Sequence, residues 1–265
     1  MVKVRSGDAE ISYEVQGQGP SVVLLHPFPA NHELWMPLAQ AVTSKYKLIL
    51  PDLRGHGDSE TGDGPATMQK HAADIMRVLD DAGVGRAPMA GVSIGGYTLF
   101  ELWRQDRSRI AALALFNTKA TADTPEARAA RLQSASDVLE RGTEPFFESM
   151  VPKLIGKTTR EARPDLVEAA RRMMRKMSAA DVAAVQTGMA ERPDSMATIK
   201  TINVPTLIVT GDEDTLTGVS EAELMRQNIS GSQLKVIPRA GHYSIWEQPE
   251  EAGRVLRQFL DSLAL

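Results

Sequence analysis

The chain has 265 residues, 42% of them hydrophobic and 24% charged, which suits one large α/β domain carrying an insertion. A formal net charge of −4 gives no electrostatic reason to expect nucleic acid or an anionic membrane surface as partner. The absence of cysteine excludes disulfides, thiolate zinc sites and thiol nucleophiles together.

The chain begins Met-Val-Lys-Val-Arg-Ser-Gly-Asp, with no apolar stretch of signal-peptide length behind the basic residues, and no segment approaches the roughly 20 apolar residues that span a bilayer. A soluble, cytoplasmic protein is the expectation. Residues 2–5 and 10–15 flank a Ser6-Gly7-Asp8 turn. The second of them alternates polar and apolar, as a half-solvated antiparallel strand does. From residue 22 the pattern changes. The runs 22–25, 47–50, 111–116 and 204–209 are apolar on both faces, the mark of buried parallel strands, and shorter strands are expected over 87–90 and 233–237. Helical periodicity over 33–43, 67–82, 94–105, 219–228 and 250–263 alternates with them. The fold class is therefore α/β, with a mostly parallel central sheet covered by helices on both faces and the first two strands antiparallel at one edge.

Residues 121–200 break this rhythm. They hold no convincing strand and read as helices over 125–141, 144–154, 160–177 and 179–190, punctuated by Pro145, Pro152, Pro164 and Pro193. This is a helical insertion between two strands of the sheet.

Gly91-Val92-Ser93-Ile94-Gly95 lies between an expected strand and an expected helix. A serine on such a sharp turn is pushed above the sheet, the flanking glycines keep the turn free of clashes, and the helix N-terminus favours developing negative charge. A serine hydroxyl needs a base, and on this architecture the chain order is nucleophile, acid, histidine. His26, His32, His56 and His71 all precede Ser93, and only His242 follows it. His242 sits just after a strand, where open α/β sheets carry their sites. The acid is sought in Gly211-Asp212-Glu213-Asp214, with Asp214 favoured and Asp212 second; after strand 111–116 the chain reads Asn117-Thr118-Lys119, with no carboxylate. Two backbone N–H groups are needed for an oxyanion hole. Ile94, after the nucleophile, supplies one. In the loop His26-Pro27-Phe28-Pro29 the prolines have none, so the second falls on Phe28. The turn at 52–59 holds Asp52 and His56, read as structural. No histidine and carboxylate spacing suits a metal, and no cofactor motif follows a strand.

Together, the motifs at 26–29, 52–59, 91–95, 211–214 and 241–242, in this order, resemble the α/β-hydrolase family over nearly the whole chain. Within it, the chain is similar to small bacterial carboxylesterases and the related enol-lactonases and cofactor-free haloperoxidases, as the stretch Gly188-Met189-Ala190-Glu191-Arg192-Pro193-Asp194-Ser195 also is. The resemblance implies an α/β-hydrolase core over 1–120 and 201–265, a helical cap over 121–200, and a catalytic acid three residues after a glycine, at Asp214. It implies an acyl or alcohol pocket under the cap, with apolar cap residues such as Phe146, Phe147, Met150, Leu154 and Met189 as candidates for its lining, while their helical spacing favours the cap's own core for most of them. The family usually has His-Gly where this chain has His26-Pro27, a stiffer loop. The expected activity is a serine carboxylesterase acting on small, mostly apolar esters through Ser93, Asp214 and His242, with the Phe28 and Ile94 N–H groups as the oxyanion hole and no cofactor or metal. A small-molecule ester is the expected partner, with neither nucleic acid nor membrane, and the oligomeric state is open. The alternatives are a lactonase or enol-lactonase using the same residues, and a binding protein with little turnover.

Overall fold

The computed structural model describes residues 1–263. Its strands are β1 (Val2–Ser6), β2 (Ala9–Gln16), β3 (Ser21–Leu25), β4 (Lys47–Pro51), β5 (Ala87–Val92), β6 (Ile110–Phe116), β7 (Thr206–Gly211) and β8 (Gln233–Ile237). The helices are α1 (Met36–Thr43), α2 (Met68–Asp81), α3 (Ile94–Asp106), α4 (Pro125–Arg141), α5 (Glu144–Leu154), α6 (Lys157–Ala162), α7 (Pro164–Met174), α8 (Ala179–Ala190), α9 (Met196–Ile199), α10 (Val219–Asn228), α11 (Ser244–Glu247) and α12 (Pro249–Asp261).

One eight-stranded sheet runs in the order β1-β2-β4-β3-β5-β6-β7-β8. The β1–β2 and β2–β4 pairs are antiparallel and every other pair is parallel. Helices flank both faces, with α1 against α12 and α2 against α3. The central strands β3, β5, β6 and β7 are buried almost throughout, as their unbroken apolar runs require. Each fully buried Val, Leu or Ile there contributes about 1.5–3 kcal/mol relative to an exposed one. At the edge, β8 alternates less cleanly and exposes Gln233 and Lys235, which discourages pairing with another chain. Among the described residues no helix is long and apolar enough to cross a membrane.

The insertion between β6 and β7 is helical, α4 to α9. The helix expected over 160–177 is two. Pro164 lacks an N–H and disfavours helical angles at Arg163, which sits at φ −132°, ψ 66°, so α6 ends and α7 begins there. The short α9 and α11 were not expected; four residues are too few to show a period. The helix expected from residue 33 starts instead as a tight turn over His32–Trp35, capped by the Asn31 side chain, with α1 following. Ser178 and Asp181 form a reciprocal cap at the start of α8.

The 188–195 stretch joins the insertion to the core. A Cβ on Gly188 would collide with the Ala66 carbonyl, so only glycine lets α8 lie this close to the core loop. Arg192 is buried, donates to the Thr121 carbonyl at 2.6 Å and to Asp123 Oδ1 at 2.8 Å, and stacks 4.2 Å from the Tyr97 ring centroid. Asp194 accepts from the Ala122 and Met196 N–H groups.

Candidate active site

The C-terminal ends of the parallel strands deliver side chains to one rim. Ser93 follows β5 at φ 54°, ψ −113°, and α3 begins at the next residue. A non-glycine residue at such angles costs of order 1–3 kcal/mol and persists only where its surroundings enforce it. Here the Ser93 N–H donates to the Phe116 carbonyl at 3.1 Å, and Thr118 Oγ1 donates to the Ser93 carbonyl at 2.8 Å. The flanking glycines are sterically required. A Cβ on Gly91 would lie 2.5 Å from the Gly95 carbonyl carbon, and one on Gly95 would lie 2.6 Å from the Leu25 carbonyl oxygen.

His242 follows β8 and is buried at 1% exposure, with its Nδ1 2.9 Å from Asp214 Oδ2. Asp214, after β7, is surrounded by donors. Its Oδ1 accepts from the Leu216 N–H at 2.8 Å and the Thr217 N–H at 3.1 Å; its Oδ2 accepts from Asn117 Nδ2 at 2.9 Å and Thr217 Oγ1 at 2.8 Å. Burial alone would raise the Asp214 pKa, but His242, the Asn117 amide and the Thr217 N–H outweigh it and hold the carboxyl well below its usual range. An ionised acceptor beside Nδ1 fixes the ring tautomer with hydrogen on Nδ1 and a free lone pair on Nε2. Asp212, the second choice from the sequence, is exposed and accepts from the Ala240 N–H at 3.3 Å, remote from the imidazole. Glu213 turns to the Thr158 N–H at 2.8 Å.

The loop after β3 is fastened by His26. The Leu53 N–H donates to its Nε2 at 2.8 Å, so the ring hydrogen is on Nδ1, which donates to the Pro27 carbonyl at 2.9 Å. Burial pushes the His26 pKa down to about 3, keeping the ring neutral. The Ala30 N–H closes the turn on the Pro27 carbonyl, and the Phe28–Pro29 peptide is cis. Among the described residues neither the Phe28 nor the Ile94 N–H has a protein acceptor. Asp52 pairs with His32 Nδ1 at 2.7 Å and accepts from the Asp58 N–H, while His56 donates through Nδ1 to the Arg54 carbonyl at 3.0 Å. Asp52 thus ties its own loop to the loop after β3, and His56 packs edge-on against Phe28, with ring centroids 5.7 Å apart.

Ser93, His242 and Phe28 line one cavity of 340 Å³, roofed by the insertion through Phe146, Met150, Leu154 and Met189. Phe147 is instead packed in the core at 1% exposure, the place that helical spacing favoured for most of these residues. The wall also carries Lys119 and Asp123 from the loop after β6 and Arg131 and Lys153 from α4 and α5, which pattern reading passed over because isolated charges in loops and amphipathic helices look like solvated faces. Asn117 is the other omission. It was set aside for lacking a carboxylate, yet it sits at φ 41° after β6, donates to Asp214 and to the Gly241 carbonyl at 3.2 Å, and accepts from Ser244. Among the described residues no group of three or more acidic or histidine side chains converges as a metal would need.

The sheet order, the strained Ser93 turn and the helical insertion define an α/β-hydrolase. The profile of the alpha/beta hydrolase fold matches residues 20–249, and the chain belongs to that family. An esterase from the thermophile Thermogutta terrifontis, solved with malate bound, superposes with a TM-score of 0.95 at 35% identity, covering 98% of this chain and 97% of its own. 3-Oxoadipate enol-lactonase 1 of Acinetobacter baylyi is 27% identical across 99% of this chain and 97% of the relative. The second enol-lactonase of the same organism is 28% identical across 92% and 90%.

Proposed function

We propose that the chain is a serine hydrolase that cleaves carboxylic esters of small acids through an acyl-enzyme on Ser93. The observation that carries this is the 2.9 Å contact between a buried, ionised Asp214 and Nδ1 of His242, which lines the same cavity as Ser93. In this reading His242 Nε2 takes the hydroxyl proton as Ser93 Oγ attacks the carbonyl carbon. The oxyanion is held by the Ile94 and Phe28 N–H groups, with the α3 dipole behind the first. The C–O bond breaks as Nε2 returns the proton to the leaving alcohol. Water then attacks the acyl-enzyme, giving its proton to Nε2, and Ser93 recovers it as the acid departs. Neither metal nor cofactor has a step. Residues 1–120 and 201–265 act as the core and 121–200 as the cap that closes the acyl pocket. The substrate is a small molecule.

A lactone is the second reading, favoured by two enol-lactonase relatives that match nearly the whole chain. Ring opening uses the same residues, and parallel rates on linear esters and lactones separate the two. The test of both is Ser93→Ala, assayed on a p-nitrophenyl ester and a lactone. Loss of a triad nucleophile costs up to about 10⁶ in turnover, so activity should fall to background. Full activity in the variant would end this reading.

A further inference from the structure

The cavity wall opposes three cationic side chains, Lys119, Arg131 and Lys153, with one carboxylate, Asp123. That excess stands in a chain whose net charge is −4. Asp123 does not consume it. Its Oδ2 accepts from Arg131 Nε at 2.6 Å and its Oδ1 accepts from Arg192 Nη2 at 2.8 Å. Both oxygens are therefore occupied by guanidinium groups before Lys119, 3.4 Å away, is counted. Burial disfavours ionised Asp123, but Arg131, Arg192 and Lys119 together hold its pKa below the usual range, so the count of charges holds at neutral pH. Arg131 is further tied to Gln186 Oε1 at 3.0 Å. The Lys119 side chain is only 19% exposed, shielded from the water that would otherwise solvate its charge. Its backbone follows Thr118, whose hydroxyl holds the Ser93 carbonyl, and its side chain lines the cavity that Ser93 also lines. Lys153, at the end of α5, adds a second cation to the same wall.

We propose that this wall is a subsite for a free carboxylate on the acyl part of the substrate. The preferred substrates are then half-esters of short dicarboxylic acids, in place of the mostly apolar esters expected from the sequence. The inference rests on the hydrolase reading above for its chemistry, and on Lys119 and Lys153 for its specificity. The apolar side chains Phe146, Met150 and Met189 cover the intervening methylenes, and the carboxylate meets ammonium groups through charge-assisted hydrogen bonds.

The experiment compares mono-p-nitrophenyl glutarate with p-nitrophenyl pentanoate on wild type, Lys119→Met, Lys153→Met and Ser93→Ala. Wild type should favour the glutarate ester in kcat/KM by at least about tenfold, the lower end of what a hydrogen bond to a charged group contributes. Salt should erode that preference. Each Lys→Met variant should cut the ratio of the two kcat/KM values about tenfold, a ratio insensitive to general loss of active protein. A wild type without acid preference, or variants with an unchanged ratio, would overturn the subsite while Ser93→Ala inactivity leaves the hydrolase reading standing. If Ser93→Ala still hydrolyses both esters, the hydrolase reading fails, and calorimetric titration with glutarate judges the subsite alone. Binding weakened by Lys119→Met supports it, and no binding refutes it.

Discussion

Asp214→Asn tests the proposed chemistry at the point where the structure constrains it most. Five donors converge on the carboxylate: the Leu216 and Thr217 N–H groups on Oδ1, and Asn117 Nδ2, Thr217 Oγ1 and His242 Nδ1 on Oδ2. Two main-chain donors cannot turn away, so the asparagine carbonyl must take the Oδ1 place and its NH₂ the Oδ2 place. That NH₂ faces the Asn117 amide, donor to donor, and it faces His242 Nδ1. The imidazole responds by carrying its hydrogen on Nε2 and accepting at Nδ1. A protonated Nε2 cannot take a proton from Ser93. The same swap in a serine protease triad lowers kcat by about 10⁴, and that loss is expected here. The unpaired Asn117 donor adds a stability cost of about 1–3 kcal/mol. Hydrolysis of a p-nitrophenyl ester, serine labelling by a fluorophosphonate and thermal melts read the three consequences. Labelling should slow in step with turnover. An Asp214→Asn enzyme that keeps more than about a tenth of wild-type kcat would refute the tautomer argument and with it the assignment of Asp214.

Glu247 is expected to hold the His242 loop against the cap. Its buried carboxylate accepts from the Gly241 N–H and the Gly156 N–H, each at 2.9 Å, so Glu247→Gln leaves one of them facing an NH₂ and should destabilise the fold by about 1–3 kcal/mol, read by urea denaturation. An unchanged midpoint would remove it from that role. Acid should destabilise the protein well above carboxylate pKa values. Burial holds the pKa of His26 near 3 and of His56 near 4, and that of His71 well below its usual value. Because the unfolded histidines bind protons from about pH 6.5 and the folded ones do not, stability falls as pH drops through this window, by up to roughly 1.4 kcal/mol per pH unit for each ring. Denaturation midpoints at pH 7 and pH 5 should differ accordingly, and His71→Phe should shrink the difference by about a third. Equal midpoints would contradict the buried, neutral state of the cluster.

Much of the architecture was legible in local pattern. Solid apolar runs such as 111–116 have only one economical home, a strand covered on both faces, and alternation with amphipathic helices orders such strands into a mostly parallel sheet. Gly91 and Gly95 marked the Ser93 turn because no other residue fits against Leu25 and the α3 backbone. Chain order alone singled out His242. Local pattern failed where the deciding contact is remote in sequence. Local pattern left both Asp212 and Asp214 as candidates, with only the resemblance favouring Asp214, and it is the packing of β7 beside β8 that buries Asp214 against the imidazole and leaves Asp212 exposed. Asn117 carries no chemistry of its own until β6 brings it beside Asp214, 97 residues later in the chain. Lys119, Arg131 and Lys153 come from a loop and two helices, and a charge on a helix reads the same whether it faces solvent or a cavity. Sequence thus determined most of the elements, their order and the candidate residue types, because those depend on periodicity and covalent geometry. Tertiary structure decided which acid meets which base and what charge lines the pocket, because those depend on distances between residues that the chain itself keeps far apart.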